Sequence, residues 1–158
     1  MNLGPRHYDV FNGDADGICA LHQYRLAAPV NEATLVTGVK RDIALLAKIE
    51  EVREAHITVF DISMHSNMEH LTQLLANGNE VIYIDHHFAG EIPESKALKH
   101  HIDPSPEQCT SLIVNTLLDG QHYKWAVCGA FGDNLESAAV DLARKNRLSE
   151  TDTAKLKQ

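Results

Sequence analysis

Short apolar runs that end on aspartate recur along this chain, and they constrain its fold more than any other feature. Tyr8-Asp9-Val10-Phe11 runs into Asn12-Gly13-Asp14-Ala15-Asp16-Gly17. Ile57 to Phe60 ends at Asp61, and Val81 to Ile84 ends at Asp85, followed by His86 and His87. A later apolar segment ends at Gly132-Asp133. Val81 to Ile84 is continuously apolar, as suits a strand covered on both faces. Helical signals fall between these runs. The rhythm predicts an α/β fold, a mostly parallel sheet of about five strands flanked by helices.

The expected elements follow from local chemistry. Strands are expected at Tyr8 to Phe11, Thr34 to Val36, Ile57 to Phe60 and Val81 to Ile84. A helix from Ile18 to Ala28 stops ahead of Pro29, which disfavours helical backbone in the residue before it. Ile43, Leu46, Ala47 and Ile49 mark an amphipathic helix. Ser66-Asn67-Met68-Glu69 reads as a capping box for a helix carrying Leu71, Leu74 and Leu75, which stops at Asn77-Gly78. Ser105-Pro106 starts another helix, running to Leu118. A last helical region begins near Leu135. The single domain is expected over residues 1–143. The polar, basic segment 144–158 is expected to be a linker or terminal helix, with Ser149 as its cap.

The carboxyl ends of parallel strands share one edge, where ligands bind. Asp14, Asp16, Asp61, Asp85 and Asp133 therefore converge there with His86 and His87. Carboxylates this close cannot all stay ionised unaided, and two divalent cations supply the missing charge. Mixed carboxylate and imidazole donors suit Mn²⁺, with Mg²⁺, Fe²⁺, Co²⁺ or Zn²⁺ as alternatives. Paired metals are a standard device for hydrolysing phosphate esters. A calcium loop starting at Asp14 is excluded, because its twelfth position would be Arg25 and not Glu. Lys40 and Arg41, after the second strand, are candidate phosphate contacts on the same edge.

Composition narrows the function. The 158 residues carry 14 Lys and Arg against 22 Asp and Glu, a net charge of −8. That excludes a broad electrostatic grip on long duplex nucleic acid. No apolar run reaches the ~18 residues of a membrane helix, and Met1 to Asp9 has no signal-peptide pattern. Cys19, Cys109 and Cys128 lack metal or disulfide spacing, which points to a reducing cytoplasm.

Asp14-Ala15-Asp16-Gly17, Asp61, Asp85-His86-His87 and Gly132-Asp133, in this order between Val10 and Asn134, resemble the motifs of the DHH phosphoesterase superfamily. The resemblance implies Mn²⁺-dependent cleavage of a phosphoester or phosphoanhydride, with a nucleotide or short oligonucleotide as substrate. It implies that Asp14 and Asp61 hold one metal, and that Asp16, Asp61, His86 and Asp133 hold a second, Asp61 bridging. His87 would face the substrate phosphate and Asp85 would orient a ligand from behind.

Two departures stand out. Val10 occupies a position where many members have a metal-binding His. This first motif is more similar to the RecJ-type branch, although that branch has Asp where this chain has Asn12. The Gly-rich, His-containing motif of a C-terminal substrate domain is absent, which implies a catalytic domain alone. The alternative is a non-catalytic metal- or nucleotide-binding module of the same fold.

Overall fold

The computed structural model describes residues 6–39 and 41–158. Five strands, β1 (His7–Asn12), β2 (Ala33–Gly38), β3 (His56–Phe60), β4 (Glu80–Asp85) and β5 (Leu98–Ile102), form one sheet in the order β2-β1-β3-β4-β5. Every pairing is parallel. The helices are α1 (Ala15–Ala27), α2 (Met68–Ala76), α3 (Thr110–Leu117), α4 (Tyr123–Gly132), α5 (Glu136–Lys145) and α6 (Glu150–Leu156). The strand order reverses between β1 and β3. The chain leaves these neighbours toward opposite sides and opens a crevice at their carboxyl ends.

Side chains alternate across the sheet, so each strand feeds two cores. Val10, Val59 and Tyr83 pack with Leu45, Leu46, Leu71 and Leu74 on one face. Phe11, Phe60 and Ile84 pack with Ala20, Ile113 and Val114 of α1 and α3 on the other. Val127, Ala130, Ala139 and Ala143 join α4 to α5, with Leu148 and Leu156 against them. Segment 144–158 thus carries the end of α5 and all of α6. Ser149 Oγ caps α6 by accepting from Asp152 N at 3.1 Å.

Several expected elements differ. The fifth strand is Leu98–Ile102, and the apolar segment before Asp133 is helix α4. The edge strand β5 pairs on one side only and exposes Lys99, His100 and His101, so it needs no apolar run. Trp125 is half-exposed on α4, with its ring 4.4 Å from that of His22. Helix α1 begins at Ala15 because the Asp14 carboxylate caps it.

Leu45–Ile49 is a 3-10 helix. Asn67, buried, accepts from Leu46 N at 3.3 Å and donates to the carbonyls of Ile43 at 2.6 Å and Ser63 at 3.0 Å. That tertiary bridge occupies the side chain next to Ser66, and the expected capping box does not form: Ser66 bonds Ser63. The helix expected from Ser105 starts instead at Thr110, for a reason that belongs to the crevice.

Beneath α1 the sheet carries one buried ion pair. Arg25 donates from Nε to Asp9 Oδ2 at 2.9 Å and from Nη2 to Asp9 Oδ1 at 2.5 Å, and it also reaches Thr58 Oγ1 at 3.1 Å. Asp9 is 1% exposed. Removing the guanidinium would strand a buried carboxylate, a loss of about 2–4 kcal/mol for a pair whose cation still touches solvent. Arg25→Ala is expected to lower the urea midpoint accordingly, and an unchanged midpoint would show that Asp9 is neutralised some other way.

Candidate metal centre

Two helix N-termini meet at the crevice. Asp14 caps α1, its Oδ1 accepting from Asp16 N at 3.1 Å and Gly17 N at 3.2 Å. Gly17 is required by close approach, since a Cβ there would overlap the Asn12 carbonyl oxygen. Asp16, one residue into α1, caps α3 from outside. Its Oδ2 accepts from Thr110 N at 2.8 Å and its Oδ1 from Ser111 N at 2.7 Å. No side chain caps α3 from within, and this borrowed cap is why the helix begins at Thr110. The partial positive charge of a helix start favours a carboxylate there.

Asp61 leaves β3 with φ of 59°, a left-handed conformation that costs a non-glycine residue about 1–3 kcal/mol and collects at functional sites. Its Oδ1 accepts from Thr110 Oγ1 at 3.2 Å and lies 3.3 Å from His86 Nε2. The same imidazole nitrogen lies 3.7 Å from Asp133 Oδ2 and 4.0 Å from Asp16 Oδ2. Asp133 follows helix α4 and not a strand, and still arrives at the cluster. Behind them, the fully buried Asp85 bonds His87 Nδ1 through Oδ1 at 2.6 Å, while its Oδ2 is buried without a hydrogen-bond partner.

The electrostatics match a site short of positive charge. Burial pushes the Asp61 carboxyl up to about 7, with Asp16 and Asp14 adding to the rise and the His86 hydrogen bond opposing it. Burial works against charging His86, but the bond to Asp61 and the fields of Asp61, Asp16 and Asp133 outweigh it and lift the imidazole to about 9. The Asp85 bond raises His87, against burial and the His86 charge. With its proton, His86 is thus the cation that three carboxylates share.

A cleft of about 160 Å³ opens over this cluster, lined by Asn12, Asp14, Asp42, Ile43, Asp61, Ile62, Ser63, His86, His87 and Asp133. No lysine or arginine lines it among the described residues. Two sets of donors suit an ion: Asp16, His86 and Asp133, and Asp61, His86 and His87, the ligand atoms of each set lying within 4.8 Å of one another. Oxygen and imidazole donors of this kind fit Mn²⁺ and related divalent ions.

The crevice therefore collects Asp14, Asp16, Asp61, Asp85, His86, His87 and Asp133, all seven residues expected there. Val10 is fully buried in the core and offers no ligand. Arg41 is exposed in the turn before the cleft residue Asp42. Lys40 lies outside the described residues. His100 and His101 stand on the edge strand β5. Sequence reasoning missed Asp42, which is salt-bridged to Lys48 at 2.6 Å, and it missed Thr110 and Ser111. The Thr-Ser pair ahead of an apolar run was a readable helix start, masked by the stronger Ser105-Pro106 signal.

Fold and site together define a parallel α/β protein with a carboxylate and imidazole centre at its switch point. The family model "DHH family, N-terminal domain" matches residues 8–143, and the chain belongs to that family, one of metal-dependent phosphoesterases and nucleases. No curated protein matches it in sequence. Among solved structures it is similar to RecJ in complex with Mn²⁺ from Thermus thermophilus, at 20% identity and a TM-score of 0.57, over 96% of this chain and 26% of that one. It is also similar to an exonuclease RecJ bound to manganese, at 20% identity and a TM-score of 0.56, over 90% of this chain and 43% of that one. The chain thus spans less than half the length of either. No helix among the described residues is long and apolar enough to cross a membrane.

Helix α4 approaches the site through Gly129. A Cβ there would overlap Ser111 Oγ and lie 3.2 Å from Asp16 Oδ1. Gly129→Ala is expected to cost about 1–3 kcal/mol by overpacking and to weaken Mn²⁺ binding, because the strain falls on the amides that hold Asp16. Urea unfolding and calorimetric Mn²⁺ titration check this, and parental values in both would show that α4 does not brace the site.

Proposed function

We propose that this domain is a metal-dependent phosphoesterase that hydrolyses a phosphoester or phosphoanhydride of a nucleotide or short oligonucleotide. The observation that carries the reading is the pair of donor sets joined at His86, with Asp16 and Asp61 buried beneath a small cleft. In this reading Asp14 and Asp61 hold one ion, and Asp16, Asp61, His86 and Asp133 hold the other, Mn²⁺ being the preferred metal. The free thiols of Cys19, Cys109 and Cys128 accord with a reducing cytoplasm. Residues 144–158, with the end of α5 and all of α6, pack onto the α4 and α5 cluster.

Bound divalent ions would supply the positive charge that polarises a phosphoryl oxygen and makes water nucleophilic at neutral pH. The chain's own groups do the rest. Asp85 holds Nδ1 of His87, which fixes the ring and leaves Nε2 as its remaining polar atom. His87 is 44% exposed at the cleft, so Nε2 is able to donate to a phosphoryl oxygen as charge builds there. Asp61, held by strain and by Thr110, orients without searching. The Asp16 carboxylate keeps its orientation through two backbone amides. In this reading Lys40 and Arg41, next in the chain to the cleft residue Asp42, contact a substrate phosphate.

Two variants test the assignments. Asp61→Ala is expected to abolish or nearly abolish Mn²⁺ binding, and two equivalents still bound per chain would show that Asp61 does not bridge. His87→Ala is expected to keep the metal while slowing hydrolysis by about 10²–10³. Metal lost in step with activity would make His87 a ligand, as its place in a donor set with Asp61 and His86 also allows. Mn²⁺ bound without turnover of any phosphoester would favour the non-catalytic module.

A further inference from the structure

The cleft is smaller than its proposed substrate. Ligand pockets for small organic molecules usually hold about 300–1,000 Å³, and this one holds about 160 Å³, with Ile43 and Ile62 among the acids and imidazoles on its walls. It accommodates a phosphate, and a nucleoside attached to that phosphate has to lie outside the mouth.

The segments that line the cleft continue into an aromatic pair. Phe88, next in the chain after the cleft residue His87, is 70% exposed. Its ring is braced by that of His65, with centroids 5.6 Å apart and planes at 54°. His65 is itself backed by Gly90, whose φ of 71° folds the loop so closely that a Cβ would lie 2.7 Å from His65 Nδ1. His65 follows the cleft residue Ser63 by two positions, so both rings of the pair spring from segments that line the cleft. Across the same cleft Ile43 is 54% exposed. A braced ring left in water beside a phosphate-sized cleft has the features of a stacking surface, because every nucleobase offers a π-face to it.

We propose that Phe88 is a base-stacking platform that selects nucleobase-bearing substrates over base-free phosphates. The proposal rests on the phosphoesterase reading of the cleft. Phe88 acts on binding and not on the reacting phosphorus, so it governs KM.

The test uses the whole 158-residue protein with Mn²⁺ and two substrates: a 5′-phosphorylated adenine dinucleotide, and the same phosphodiester with abasic sugars. Phe88→Ala is expected to raise KM for the adenine dinucleotide about tenfold or more, with kcat little altered. The preference over the abasic compound should fall by the same factor, and Phe88→Tyr should keep it. Equal changes on both substrates, or no change on either, would overturn the platform. A 2-aminopurine dinucleotide separates this proposal from the one beneath it. Fluorescence quenched on binding by the parent and not by Phe88→Ala supports the platform even if no turnover occurs, and then only the phosphoesterase reading fails. Binding by the parent without quenching, or no binding at all, overturns the platform whatever the turnover.

Discussion

The cleft depends on one carboxylate that has no room to move. Asp16 is 1% exposed, and its two oxygens are taken up by the first amides of α3, from Thr110 and Ser111. Ser111 Oγ closes the contact by donating to the Asp16 carbonyl at 2.8 Å. A buried carboxylate costs several kcal/mol unless paired, and charge-assisted bonds from a helix start are the strong kind that offset it. The same Thr110 reaches Asp61 through its hydroxyl. Helix α3 therefore sets the position of two acids at once, and Gly129 lets α4 press on that joint from outside.

Charge balance gives the rest of the architecture its sense. Three carboxylates surround a single imidazole, and two helix N-termini add only partial charges. A fold that pays to bury this many acids at a switch point needs cations to complete it. The left-handed Asp61 and the carboxylate behind His87 belong to the same logic: each holds a donor in place before any ion arrives. Behind them the Asp9–Arg25 pair ties α1 to the sheet, so the Asp14 cap and the first turn of α1, which carries Asp16, spring from a fixed base.

Much of this was legible in the sequence, for a physical reason. Asp14, Asp61 and the Asp85-His86-His87 run follow apolar strands directly, so strand topology alone brings them together. Asp133 was legible as a residue and not as a position: the apolar run before it is a helix, because α4 packs against α1, α3 and α5 and needs apolar faces toward them. Strand β5 carries Lys99, His100 and His101, and an edge strand with one partner has no need of a pattern. Ser66 to Glu69 looked like a capping box, and Asn67 within it serves a loop more than twenty residues away. Thr110, Ser111 and Asp42 reach the site through contacts between distant segments, which no local pattern records.

The proposed function turns on divalent ions held by the carboxylates and imidazoles at the β1/β3 switch point. Anomalous diffraction at the manganese edge, from crystals soaked in Mn²⁺, tests it most directly. A strong peak is expected among Asp16, Asp61, His86 and Asp133, and a weaker one between Asp14 and Asp61, where Val10 and Asn12 leave fewer charged ligands. Peaks only elsewhere, or a bare cleft with His86 still bonded to Asp61, would contradict it.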